Sequence, residues 1–301
     1  MLTSARIEDE IERFGEPTMK ALLPASIFVL MMSIGMSLHW RELVANWRGL
    51  TWGAWLRLLL ATFIVPPAVA LLLARILPLN LSETAGLFMV AAAPGAPLLT
   101  RNLARRGFDM HLAASYQVWG AVMTPIMIPL LVYGAAKLYA RDIWIPPMAL
   151  VVQIVEKEFV PLLVGMALAH FAPAFAKKAQ PKMNLLGNVV LTLVFVILLW
   201  KMGPELRRVT PWVVLAAMLL LVASIGAMRL LMSIDRIGVR TLEVSNANRH
   251  VGLALLLSGQ YIHNRDALPT VACYAIVVAV MMMIAPKIFK QRDEVARAAA
   301  A

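Results

Sequence analysis

A single cysteine, Cys273, leaves no partner for an intrachain disulfide. Charge is also scarce: 15% of the 301 residues are Asp, Glu, Lys or Arg, against about 25% in an average soluble domain. Acidic residues are the rarer sign, 17 against 28 basic, for a net charge of +11. No HExxH, GxSxG or paired-aspartate motif is present, so no enzymatic site is expected. No basic patch with interleaved aromatics stands outside the apolar runs, so nucleic acid is not an expected partner. The nineteen methionines show no clustered ligand spacing and read as packing residues. What fills the chain instead is apolar: 61% of residues are hydrophobic and the mean hydropathy is +0.76. That composition belongs to an all-α polytopic membrane protein.

Nine hydrophobic segments are legible: 21–39, 50–77, 83–100, 110–138, 146–171, 185–202, 211–231, 239–261 and 267–289. Each is expected to be helical, because lipid leaves no water to satisfy an open backbone. No connection between them is long enough to fold by itself. Residues 1–20 carry mixed charge and lack the basic-then-apolar order of a secretory signal, so the first segment is expected to be a permanent span. Fifteen basic residues fall in one set of alternate loops and ten in the other, with Arg57, Lys157 and Arg249 inside spans. The richer side is expected to be cytoplasmic. This makes residues 1–20 an extracytoplasmic segment, 21–290 one transmembrane domain and 291–301 a cytoplasmic tail. The expected location is a bacterial inner membrane.

Polar groups inside two of these segments point to function. The eighth contains TLEVSNANRHVGLA, with Glu243, Asn246, Asn248, Arg249 and His250 close together. Such groups are costly in hydrocarbon and mark pathways for ions or solutes. The third contains Pro94, Gly95 and Pro97, which break its helix. Paired interrupted helices in two halves of a transporter commonly build a midplane binding site. Thr100 and Asn102 follow the first break, and Gln117 lies in the next span; these are further candidate contacts. Gln153, Glu156, Lys157 and Glu158 form a second polar cluster, read as an interfacial ring, with Glu156 and Glu158 as the alternative members of a relay.

The order of several motifs resembles the bile acid:sodium symporter family over nearly the whole chain. VLMMSIGMSLHWREL, FIVPPAVALLLARILPL, AAAPGAPLLTRNLARRGFD, VMTPIMIPLL, FVPLLVGMALAHFAP and LEVSNANRHVGLAL follow the family's succession of spans. The resemblance implies an inverted-repeat fold with panel and core domains and two broken helices crossing in the core. It also implies a nine-span form that lacks the family's first helix.

The departures are specific. Where sodium-coupled members carry a Ser-Asn pair in the first crossover, this chain has Pro97-Leu98-Leu99; two hydroxyl positions read Ala113 and Gln117; a Gln-Asn pair reads Ala247-Asn248. Glu243 remains as the position the resemblance leaves for sodium. The expectation is a secondary transporter of a small organic anion, coupled to Na+ or H+, with Arg249 standing in for a lost sodium beside Glu243. His250 suits proton coupling by its ordinary titration range. Membrane lipid is the other expected partner, and a homodimer is an open alternative to a monomer. Two other readings stay open: a non-transporting sensor or scaffold on the same fold, and an arsenite-type oxyanion carrier. The latter uses a membrane cysteine, and Cys273 lies outside the crossover.

Overall fold

The computed structural model describes residues 21–38, 51–95, 108–139, 147–207, 209–262 and 266–298. Among them every regular element is helical. The helices are α1 (Ala21–Met36), α2 (Trp52–Ile76), α3 (Leu81–Ala92), α4 (Met110–Tyr139), α5, α6 (Pro173–Lys201), α7 (Pro211–Leu231), α8 (Arg236–Ala247), α9 (Val251–Tyr261) and α10 (Ala267–Ala298). Helix α5 is continuous through Pro147–Ile154, Val155–Phe159 and Val160–Phe171. Among the described residues five stretches are long and apolar enough to cross a membrane: Trp52–Ile76, Leu112–Lys137, Pro173–Lys201, Pro211–Leu231 and Ala267–Ile284.

The outer surface is apolar where a soluble protein would carry charge. Leu185, Leu186, Val189, Leu193 and Val196 of α6 are exposed, as are Val222 of α7 and Val280 and Met283 of α10. Exposed apolar area on this scale needs lipid or protein to cover it. The protein is therefore an integral, multi-pass membrane protein.

Helix α7 lies at the centre and packs on α2, α3, α8 and α10. Its buried face is built from small and apolar side chains, Ala216, Ala217, Leu220 and Ser224. Helix α3 is buried from Ser82 to Ala92. Asn80 and Glu83 start it with a reciprocal capping box, with Oδ1 of Asn80 accepting from Glu83 N at 2.9 Å and Glu83 Oε2 accepting from Asn80 N at 2.7 Å.

Three of the expected boundaries move. The sixth helix starts at Pro173, not near residue 185, because the polar run 177–182 continues the helix. The eighth segment starts at Arg236, capped by Asp235, and is two helices separated at Asn248–His250. The third segment stops at Ala92; Ala93 is extended, Pro94 and Gly95 have no regular structure, and Gly95 adopts a φ of 69°, open to glycine at little cost. Pro97, Thr100 and Asn102 lie outside the described residues.

Helices α1 and α5 cross backbone to backbone. A Cβ added to Gly35 would lie 3.0 Å from the Cα of Gly165 and 2.9 Å from Met166 N, and one added to Gly165 would be 2.9 Å from Met36 N. Neither helix can give way without opening the crossing. Gly165→Ala is expected to cost about 1–3 kcal/mol, read as a lowered unfolding midpoint in detergent. Gly134→Ala, with nothing within 4 Å of the added methyl, is the control and should not lower it.

Candidate functional site

The site begins with two prolines. Pro66 and Pro67 sit in α2 just after a wide π-type turn, Leu60–Ile64, in which Val65 N–H bonds back to Leu60 O. A proline has no N–H to offer. The carbonyls of Ala61 and Thr62 therefore lose their intrahelical donors, in the interior of an apolar span. Unsatisfied carbonyls there are costly. Both are answered from the break between α8 and α9. Asn246 Nδ2 donates to Ala61 O at 3.1 Å, and Arg249 Nη1 donates to Thr62 O at 2.9 Å.

Asn246 is held from three sides. Its Nδ2 also donates to Ser224 O of α7 at 2.7 Å, and its Oδ1 accepts from the Tyr116 hydroxyl of α4 at 2.9 Å. Arg249 is 1% exposed, and the hydroxyls of Tyr116 and Tyr274 stand near its charge. Tyr274 donates to Ala247 O at 2.8 Å, which also accepts from Arg249 N at 3.1 Å. The two breaks meet directly: His250 N donates to Ala93 O at 3.0 Å. Each break thus supplies a backbone group that the other leaves free.

Three expectations need correction. Arg249 does not lie on Glu243. The buried Glu243 accepts from Arg229 Nη1 of α7 at 3.1 Å, and that arginine is 65% exposed. Arg249 is six residues on, and the break turns it toward the orphaned carbonyl of α2. Asn248 spends its Nδ2 on Val244 O of its own helix at 3.0 Å, not on Glu243 or Arg249. Nor do Gln153, Glu156, Lys157 and Glu158 form one ring: the first three line one cleft and Glu158 leaves it. A second π-type turn, Val155–Phe159, precedes Pro161 and separates their directions. Glu156 pairs with Lys157 at 3.7 Å with both side chains largely exposed, so Glu156 cannot serve a buried relay.

Glu158 points the other way, into the protein. Its Oε1 lies 3.1 Å from His250 Nε2, and both side chains are 2% exposed. His250 Nδ1 accepts from Leu253 N at 3.0 Å, so the imidazole also caps α9. Beside this pair is a cavity of about 10 Å³, the room of roughly one water. Pro94, Gly95 and Gln117 line it, which brings three of the expected site residues to the pair.

A larger cleft of about 1030 Å³ lies among the ends of α1, α5, α6, α9 and α10. Its polar groups are Gln153, Glu156, Lys157, Lys201 and Gln260. Gln153 Nε2 donates to Gln260 Oε1 across it. Sequence reasoning overlooked Lys201 and Gln260, which sit at span ends and read as loop chemistry. It also overlooked Tyr116 and Tyr274, whose hydroxyls look like ordinary core decoration until the breaks are placed.

This arrangement of two buried helix breaks in contact is a transporter's architecture. A model of the Sodium Bile acid symporter family matches residues 24–208, more than half of the chain.

The chain belongs to that family.

Its members are transporters of the bile acid symporter and arsenite-efflux type, not enzymes. No curated protein matches the chain significantly. The family match ends at Arg208, so the second break, Asn248–His250, lies beyond it and is read from its own geometry.

The Asn246 junction is open to a stability test. Asn246→Ala leaves the Ala61 carbonyl without a donor and takes one partner each from the Ser224 carbonyl, which stays within α7, and the Tyr116 hydroxyl, which keeps Thr62 Oγ1 at 3.4 Å. Each buried group left unpaired costs on the order of 1–3 kcal/mol. The unfolding midpoint of the detergent-solubilised variant is expected to fall below that of Asn80→Ala, which loses a surface bond to Asp266 and the cap of α3, about 1 kcal/mol.

Proposed function

We propose that the protein is a secondary active transporter of a small organic anion that works by alternating access and does not need sodium. The observation that carries the transporter reading is the meeting of the two breaks through His250 N and Ala93 O. Discontinuous helices joined near the middle of a bundle are the usual seat of a coupled transport site. Nine spans in two inverted repeats are consistent with the element order, pairing α1, α2, α3 and α4 with α6, α7, α8–α9 and α10. Helix α5 then has no counterpart, as a form missing the first span requires. The charge bias places the chain's start outside and its end inside, so the large cleft faces outward.

The cleft suits an organic anion. Lys157 and Lys201 bring two cations against the one carboxylate of Glu156, while Leu23, Val194, Leu198 and Leu255 offer apolar walls. Gln153 and Gln260 supply amide groups at its base. A pocket of this kind takes an amphipathic carboxylate or sulfonate, with its headgroup on the lysines.

The described residues fit sodium poorly. A hard cation needs a cage of several oxygens. Ala113 and Ala247 offer no side-chain oxygen, and Glu243 already accepts from Arg229. The backbone carbonyls at the crossover also have donors: Ala61 O from Asn246, Thr62 O from Arg249, Ala93 O from His250 and Ala247 O from Tyr274. Arg249 thus brings a permanent positive charge to where a mobile cation would have to compete with it.

Uptake of labelled bile salts and small carboxylates into proteoliposomes tests this. The initial rate is expected to stay the same when choline replaces sodium. Arg249→Ala is expected to lose activity or to gain a requirement for sodium, and Arg249→Lys to keep part of the activity without it. An Arg249→Ala protein that transports normally without sodium contradicts the role given to Arg249. Lys201→Ala, away from the crossover, should raise KM for anions and leave the unfolding midpoint unchanged.

A further inference from the structure

The buried pair of Glu158 and His250 has no part in the anion cleft or in closing the α2 carbonyls. We infer that Glu158, positioned by His250, is the proton-binding site that couples transport to a proton gradient. This rests on the transporter reading above, and deepens it by naming the coupling ion.

The geometry decides where a proton can go. His250 Nδ1 is committed to Leu253 N–H, so the ring carries its one proton on Nε2. That N–H lies 3.1 Å from Glu158 Oε1, within ion-pair reach but not aligned as a hydrogen bond, and neither atom has a hydrogen-bond partner among the described groups. A second proton on the ring would have to take Nδ1 and break the cap of α9. The added proton therefore goes to the carboxyl, which becomes a neutral acid while Nε2–H stays in place beside it. Only an O–H bond forms on uptake, and only that bond breaks on release. The titration belongs to the pair as a unit.

No other ionisable group answers this charge among the described residues. Helix α1 presents Met31 and Ile34, the α3 break Pro94 and Gly95, and α4 the neutral Gln117 and Ala121. The charged neighbours turn elsewhere: Arg249 to Thr62 O, and Glu156 and Lys157 to each other at the surface. A deprotonated Glu158 is then a buried carboxylate with only a neutral imidazole beside it, which is costly. Protonation relieves that cost in the closed arrangement seen here. Loss of the proton favours an arrangement in which water reaches the carboxylate. Proton occupancy and the position of α5 against the breaks are therefore linked, as a coupling ion requires.

The test uses the full-length protein in proteoliposomes and the proton as the probe. Infrared difference spectra between acid and alkaline pH are expected to show a protonated carboxyl band that titrates. Glu158→Gln, which keeps an acceptor for His250, should abolish that band. His250→Gln should keep it but move its midpoint by at least one pH unit, roughly tenfold in proton affinity. A band that survives unchanged in Glu158→Gln overturns the proposal. If Glu158→Gln does not fold, Glu158→Asp serves, with a displaced midpoint expected and an identical one contradicting the site.

Coupling is read with a pH dye sealed inside the vesicles and the same panel of bile salts and carboxylates. The unaltered protein should acidify the lumen as anion enters. Glu158→Gln should still exchange anion for anion but move no protons. If that variant moves protons as before, the inference fails and the transporter reading stands. If no anion moves in any variant while the infrared band behaves as described, the proton site stands and the transporter reading fails.

Discussion

The arrangement depends on two carbonyl groups that the chain cannot satisfy locally. Pro66 and Pro67 take the donors away from Ala61 and Thr62 in the interior of α2, where there is no water to replace them. Donors must come from another helix, and two side chains supply them. The break after Ala247 turns Arg249 to Thr62 O, and Asn246, one residue ahead of it, reaches Ala61 O. That break exposes further backbone groups, which Ala93 and Tyr274 absorb. The prolines of one span and the break of another are thus a single solution to one hydrogen-bonding problem.

A junction closed in this way has consequences for ions. A cation site in a helix break is built from unsatisfied carbonyls, and here each of these four carbonyls has a protein donor. The guanidinium of Arg249 cannot leave, so its charge is a constant of the site. A driving ion then has to act elsewhere. The buried acid of Glu158 meets the same break from α5 through the ring of His250. The division is physically economical: one fixed charge holds the crossover together, and one titratable charge reports on whether it is closed.

Much of this fold is legible in the sequence, because apolar runs of bilayer length leave few alternatives to helices. The polar run Glu243–His250 and the triplet Pro94, Gly95 and Pro97 could both be identified as breaks from composition alone. Partnerships could not. Glu243 and Arg249 share a motif, and proximity in sequence made them look like a pair. The break at Asn248 swings them apart, and Arg229, which reads as a loop residue, takes Glu243 instead. Glu156 and Glu158 are two residues apart, and the π-type turn before Pro161 puts one at the surface and the other at the break. Helix α6 began early because the run 177–182, polar enough to look like a loop, continues as the polar start of a helix.

Binding of radioactive sodium to the purified full-length protein at equilibrium tests the central claim, that protein donors close the crossover, most directly. The account predicts no saturable binding that distinguishes the unaltered protein from empty vesicles, with or without an organic anion present. Stoichiometric, saturable sodium binding that disappears in Glu243→Gln would contradict it, since Glu243 and the crossover carbonyls would then be a cation site after all.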